Sequence, residues 1–476
     1  MDMTATLAAQ RAAFTAELPV TPAVRRDRLS RARAMVKDAA AQFCDALSED
    51  FGHRSRDQSM FTDIAPSVAA IDHALKHMAG WMKPEKRPVQ FPLGLLGAKA
   101  HVEYQPKGVV GVIAPWNFPV NLVIGPVAGA FAAGNRVMVK LSEFTPVTAA
   151  LFEELGPKYF AADELSFFSG GPDVGHAFAK LPFDHLLFTG ATGIGRHILH
   201  AAADNLTPVT LELGGKSPAI IGAGADLRQA TDRIALGKMM NAGQICLAPD
   251  YVLAPAAQEA AVVAGLRAAA SAMYPTLLAN PDYTAVVNDR HHQRLSDWIA
   301  DTRAKGAEIE VVNPGGEDFA GSNSRKMPLT IVRNVTDDMT LMREEIFGPV
   351  LPIVRYDGID DAIAQVNRRD RPLGLYYFGP DKAERRRVLD RTISGGVTVD
   401  DVIFHNAMED LPFGGVGPSG MGAYHGRDGF RTFSHAKAVY RQARVDVARL
   451  AGFKPPYGAK LRNTLAKQIG VREPAA

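Results

Sequence analysis

HLLFTGATGIGRHILH, residues 185–200, holds an apolar run, a glycine-rich turn and a stretch with helical spacing. The run reads as a buried strand that ends at Thr189, and the stretch after it as the start of a helix. In the turn Gly190-Ala191-Thr192-Gly193-Ile194-Gly195, three glycines let the backbone approach a ligand closely. Amides at a helix N-terminus favour an anion such as a pyrophosphate. The spacing is GxxGxG rather than GxGxxG, so an ordinary tight strand-to-helix turn fits equally well.

The same alternation extends on both sides. KGVVGVIAP from Lys107, RVMVKL from Arg136, ELSFFSG from Glu164 and PVTLELGG from Pro208 read as further strands. TPVTAALFEELG, with Thr145 as N-cap and Pro146 at the first helical position, and DVGHAFAKL read as helices between them. Past Gly215 a second series follows: PAIIG, a helix near 226–240, YVLAP, a helix near 257–273, VLPIVRY, a helix near 359–368, LGLYYFG and GVTVDD. Strands alternating with helices predict an α/β fold of two doubly wound, mostly parallel sheets. Residues 20–80 read as helical; Phe91–Gln105 reads as a hairpin-like excursion after Pro84 and Pro88.

With 476 residues, 47% hydrophobic and 22% charged, the composition is that of a globular protein with room for large cores. A net charge of +2 argues against a nucleic-acid partner. No apolar run approaches the roughly 20 residues needed to span a bilayer, so no membrane partner is expected. Two cysteines and no basic-then-apolar leader fit a reducing cytoplasm. His73 and His77 stand one helical turn apart without a third ligand, so no metal is expected.

Candidate chemistry gathers at strand ends. Lys140 and Glu143 follow a strand; they suit ribose hydroxyls, or form an exposed ion pair. Glu212 ends a strand before a Gly-Gly bend, either as a desolvated base or as an ion-paired structural group. Asn117, in APWNFP, offers a neutral donor for an oxyanion. Cys246, in NAGQICLAPDY, is a nucleophile if a base and a donor lie near it, and otherwise a small core residue. Glu345 and Phe347 follow a charged stretch in EEIFGPV.

Taken together and in this order, GVIAPWNFP, VKLSE, FTGATGIG, LELGGKSP, NAGQICLAPDY, EEIFGPVLP and LPFGGVGPSGMGAYHG resemble the aldehyde dehydrogenase superfamily, from about residue 20 to about 445. GMGAYHG and GFRTFSHAKAV are similar to its class 3 branch, and IDHALKHMAGWMKPEKRPV to bacterial coniferyl aldehyde dehydrogenases. The resemblance implies Cys246 as nucleophile, Asn117 as oxyanion donor and Glu212 as the base that hydrolyses a thioester. It places NAD, or NADP, against Trp116, Lys140, Glu143, Gly190 to Gly195, Glu345 and Phe347. Ala191 stands where many members carry Ser, which leaves phosphate binding to backbone donors. Phe118, Leu122 and Gly125 would line the substrate passage, with Ile245 and Leu247 flanking the thiol.

It also implies a cofactor domain of 1–83 and 105–212, a catalytic domain of 213–405, and an oligomerisation element of 84–104 and 430–445 in a homodimer. The substrate class expected is a bulky neutral or aromatic aldehyde such as coniferyl aldehyde. Medium- or long-chain aliphatic aldehydes are the alternative. A CoA-acylating relative, which typically lacks the carboxylate base, is disfavoured by Glu212.

Overall fold

Five of the strands read from the sequence pair in parallel, in the order Val209–Glu212, His185–Thr189, Val109–Ile113, Arg136–Lys140, Leu165–Phe168. Their residues are apolar and almost all buried, because helices cover both faces of a parallel sheet. The short strand Gly420–Met421 adds an antiparallel edge beside Glu212. Gly420 is required there: a Cβ on it would lie 2.3 Å from the Leu211 carbonyl oxygen. From Val109–Ile113 the chain winds outward one way through Arg136–Lys140 and the other way through His185–Thr189. A crevice opens at the carboxyl ends of strands where the order reverses.

This computed structural model describes residues 2–470. A second sheet runs Glu308–Val312, Leu329–Arg333, Val350–Tyr356, Tyr251–Pro255, Pro218–Ile221, Gly374–Phe378, Gly396–Val399. It is parallel except for Glu308–Val312, which pairs antiparallel with Leu329–Arg333. Those two strands and the helix Asp289–Ala304 add to the elements read from the sequence. Both sheets belong to one compact unit, Met1–Trp81 with Pro106–Phe433.

Thr145 does stand at the N-cap of helix Pro146–Tyr159, yet its side chain makes no capping bond. The Asp50 carboxylate does the capping instead, taking the amides of Val147 and Thr148 at 2.9 Å each. A negative charge at this position also suits the helix dipole. His73 and His77 pack ring to ring at 4.5 Å, with Trp81 next along the helix.

The second unit joins Met82–Gln105 to the chain from Ser434 onward. Its sheet orders Glu85–Arg87, Lys99–Pro106, Ser434–Arg441, so the expected hairpin begins at Glu85 rather than Phe91. Helix Ala459–Ile469 follows. Among its described residues only Ala98, Ser434 and Ala443 are buried.

Candidate active site

The strand ends converge on a cleft of about 1730 Å³. Trp116 and Asn117 reach it from Val109–Ile113, Glu143 from Arg136–Lys140, and Gly190 to Ile194 from His185–Thr189. Glu212 closes its own strand there, and Cys246, Glu345 and Phe347 enter from the other sheet's side of the unit. These residues meet because each sits at the carboxyl edge of a parallel strand or on a loop facing it.

On one flank the residues fit a dinucleotide. No side chain caps helix Thr192–Ala203, and Ala191 occupies its N-cap with extended backbone. A Cβ on Gly193 would meet nothing within 4 Å, which is the room a phosphate needs, whereas Gly190 and Gly195 are held by Phe188 and Leu213. Thr192 is committed elsewhere, donating to the Pro418 carbonyl at 3.0 Å. Lys140 spends its three protons on the carbonyls of Leu141 and Gly170 and on Glu143, at 2.7, 2.6 and 3.2 Å. Glu143 keeps a third of its side chain exposed to accept hydroxyls.

Trp116 packs edge-on against Phe347 and His291, at 5.2 and 5.1 Å. Phe347 has φ 49°, a left-handed conformation that a bulky residue adopts only when held. It is held: Arg294 donates to the Ile346 carbonyl at 2.8 Å, and the Ile346 amide donates to Asp250 at 2.8 Å. Asp250 also pairs with Lys216, which bonds the carbonyls of Leu341 and Glu344. The Pro-Asp sequence after Cys246 therefore pins the loop that carries Glu345. Gly214 makes room for that carboxylate, since a Cβ there would lie 2.2 Å from it.

The other flank holds the reactive groups. Helix Leu227–Met239 ends in a left-handed run, Asn241, Ala242 and Gly243 at φ 51°, 51° and 73°. The Gln58 side chain holds the Asn241 amide at 3.0 Å, and Gln244 bonds back to Asn241 and across to Ala285. The reversal delivers Cys246 on a turn, partly exposed to the cleft. Burial pushes the Cys246 thiol up to about 12, and the charges of Glu345 and Glu212 add to this, while the Cys246 and Leu247 amides pull down. Glu212 is buried with neither oxygen hydrogen-bonded, and desolvation holds its pKa well above the usual carboxylate range. Burial, with the Asp250 charge behind it, pushes Glu345 up to about 8. Asn117 is buried and lines the same cleft, its side-chain amide donating to the Gln244 carbonyl at 3.2 Å.

Three contributors escaped the sequence reading. Arg54 is wholly buried, paired with Asp63 at 2.6 Å, and donates to the Asn117 carbonyl at 2.8 Å. Asp63 accepts the amides of Val120 and Asn121, capping helix Asn121–Ala133. The third is Tyr424: its ring lies 3.7 Å from where a Gly125 Cβ would stand, and its phenol feels the charges of Glu212 and Cys246. No apolar periodicity marks Arg54 or Asp63, and Tyr424 lies far along the chain from Gly125.

Of the expected substrate residues, none lines the main cleft. Phe118 packs beneath the Arg54 guanidinium at 5.1 Å. Leu122 and Gly125 are half-buried on helix Asn121–Ala133. Ile245 and Leu247 are buried on either side of the thiol, and the Leu247 carbonyl accepts the Tyr376 hydroxyl at 2.5 Å.

A cleft at the switch point of one sheet that fits a nucleotide, with a desolvated carboxyl at the end of one of that sheet's strands and a thiol from the other sheet's side, is the arrangement of a two-sheet α/β oxidoreductase. The chain belongs to the aldehyde dehydrogenase family, whose model matches residues 1–439. It is 51% identical over 448 residues to the coniferyl aldehyde dehydrogenase of Pseudomonas sp. strain HR199, covering 94% of this chain and 92% of that one. It is 54% identical over 461 residues to a "Probable coniferyl aldehyde dehydrogenase" of Caulobacter vibrioides, covering 97% and 95%. The structure superposes on a substrate-bound Staphylococcus aureus AldH with TM-score 0.91 and 34% identity, covering 98% of this chain and 100% of that one. The protein is thus an NAD(P)-dependent aldehyde dehydrogenase.

Proposed function

We propose that the chain oxidises bulky, uncharged aldehydes of the coniferyl aldehyde type to carboxylic acids, with NAD as hydride acceptor. The observation that carries this is one cleft lined by Cys246, Asn117 and a buried Glu212 with both oxygens unpartnered. The Cys246 thiol gives its proton to solvent water and the sulfur bonds the aldehyde carbon, while the carbonyl π pair moves onto oxygen and makes an oxyanion. The Asn117 side-chain amide and the Cys246 backbone amide hold that oxyanion. A nicotinamide held in the cleft would supply the hydride acceptor, so that oxidation of that carbon yields a thioester on Cys246. Glu212 then takes a proton from water, whose oxygen attacks the thioester carbon; the C–S bond breaks and the acid leaves.

Desolvation holds Glu212 well above the ordinary carboxylate range, which makes its carboxylate a stronger base towards water. Glu143 favours NAD over NADP because a carboxylate at the ribose repels a 2′-phosphate. Trp116, Lys140, Gly190 to Gly195, Glu345 and Phe347 complete the cofactor side. Ile245 and Leu247, buried on either side of the thiol, bring no charge to it, and together with Phe118, Leu122 and Gly125 they make the proposed substrate side, which suits a neutral substrate. The same reading makes the enzyme a cytoplasmic homodimer, with 84–104 and 430–445 at the subunit interface.

The test follows NADH absorbance with coniferyl aldehyde, benzaldehyde and a long aliphatic aldehyde, using NAD or NADP, with and without CoA. Coniferyl aldehyde with NAD should give the highest kcat/KM, and CoA should add nothing. Cys246→Ala should lower turnover at least about a thousandfold while leaving NAD binding intact. Turnover above a few per cent of wild type would overturn the nucleophile assignment, and CoA dependence would overturn the hydrolytic step.

A further inference from the structure

Charge is unevenly shared along this chain. The described residues of the second unit hold twelve Lys and Arg against three Asp and Glu, a net +9, although the whole chain nets only +2. The excess concentrates in 441–470, where Arg441, Arg444, Arg449, Lys454, Lys460, Arg462 and Lys467 face a single acid, Asp446. Lys454 already pairs with that acid.

Apolar side chains are exposed among these cations. Leu450 is 54% exposed, Tyr457 64% and Ile469 67%. Helix Ala459–Ile469 repeats Leu461, Leu465 and Ile469 every four residues, one stripe of the helix, with Lys460 and Lys467 on the other side. No part of the proposed chemistry uses this segment, which lies beyond the family match ending at residue 439.

We propose that the segment 446–470 docks on an anionic lipid surface, with the Leu461–Leu465–Ile469 stripe turned to the acyl boundary and the cations to the headgroups. Basic helices with one apolar stripe lie in the membrane interface without crossing it, and no helix among the described residues is long and apolar enough to cross. Nucleic acid is the poorer occupant: it suits cations, but aliphatic Leu450, Leu465 and Ile469 do not stack on bases as aromatic rings do. A second copy of the same segment is poorer still, because two surfaces of like charge repel. A lipid surface satisfies both the charge and the apolar stripe. It would also bring the enzyme to where bulky apolar aldehydes partition.

Full-length protein should sediment with vesicles of phosphatidylcholine and phosphatidylglycerol in equal parts, and not with phosphatidylcholine alone. Binding should fall steeply with salt as the screening length shrinks from about 10 Å at 0.1 M to about 3 Å at 1 M. Each cation near such a surface contributes about 1 kcal/mol, roughly fivefold, so Lys460→Glu with Lys467→Glu should cut partition at least about thirtyfold. Leu465→Asp with Ile469→Asp should abolish it. Both pairs should keep wild-type turnover of benzaldehyde in solution, which controls for folding. Three outcomes overturn the proposal: no sedimentation with anionic vesicles, tighter binding to single-stranded DNA than to them, or a change of oligomeric mass in Leu465→Asp/Ile469→Asp with vesicle binding intact.

Discussion

A carboxyl group buried with neither oxygen hydrogen-bonded is costly to ionise, and native proteins keep few of them. Glu212 is one, and the cost is explained if the group must hold and release a proton beside Cys246. Glu212→Gln keeps the shape and removes the base. Rapid mixing should show a burst of NADH of at most one per site, then slow steady-state turnover. A slow first turnover without a burst would move Glu212 to an earlier step, at the thiol. The pH dependence follows from the same residue. Its carboxylate is the working form, so kcat should rise with pH along an acid limb well above the ordinary carboxylate value of 4.5. For stability the sign is reversed: a raised carboxyl pKa favours the fold while protonated, and that contribution is lost as pH rises from 4.5 through the folded value. Glu345 behaves likewise between 4.5 and about 8. Melting temperature measured across this range should therefore fall less on the alkaline side in Glu212→Gln than in wild type. Cys246, Glu212 and Asn117 each read singly as either chemical or structural residues, and only the ordered set of motifs around them makes a shared cleft legible. Their buried support, Arg54 through Asp63, is not legible, since a charged residue in a helical stretch reads as solvated.

At the scale of elements, that support is a clamp between the N-terminal helices and helix Asn121–Ala133. Arg54 bonds the Asn117 carbonyl while Asp63 bonds the next amides along, so one ion pair fixes the loop from both sides. Removing one partner of a buried pair strands the other charge, so Arg54→Met should cost about 3–5 kcal/mol by urea denaturation. Adding Asp63→Asn removes the stranded charge and keeps an oxygen for the amides of Val120 and Asn121. The double variant should recover much of the stability, yet keep a lowered kcat because the Asn117 carbonyl still lacks Arg54. Full recovery of kcat would make the clamp structural only. The strands of both parallel cores could be read because continuous apolar runs have few other uses. Helix Asp289–Ala304 could not: only Leu295 and Thr302 of it are buried, which leaves almost no periodic signal. Glu308–Val312 interleaves charge with Ile309 and Val311 at the sheet's edge, and such a strand looks like loop.

For the whole molecule, the contrast between the two units matters most. The first buries several apolar clusters around its two sheets. The second has a sheet but, among its described residues, buries only Ala98, Ser434 and Ala443, while Phe91 and Leu95 are each 81% exposed. A sheet with so little apolar burial cannot offset the entropy of ordering its own chain. Another surface has to cover it, and a second copy of the chain is the proposed one, with Phe91 and Leu95 under the partner rather than the basic tail. Sedimentation equilibrium should give twice 51.2 kDa. Phe91→Asp with Leu95→Asp should shift the mass towards one chain, and hydrogen exchange should then speed up across Glu85–Arg87 and Lys99–Pro106 while the parallel sheets stay protected. Wild-type protein of single-chain mass with those strands still protected would show that the second unit is stable without a partner.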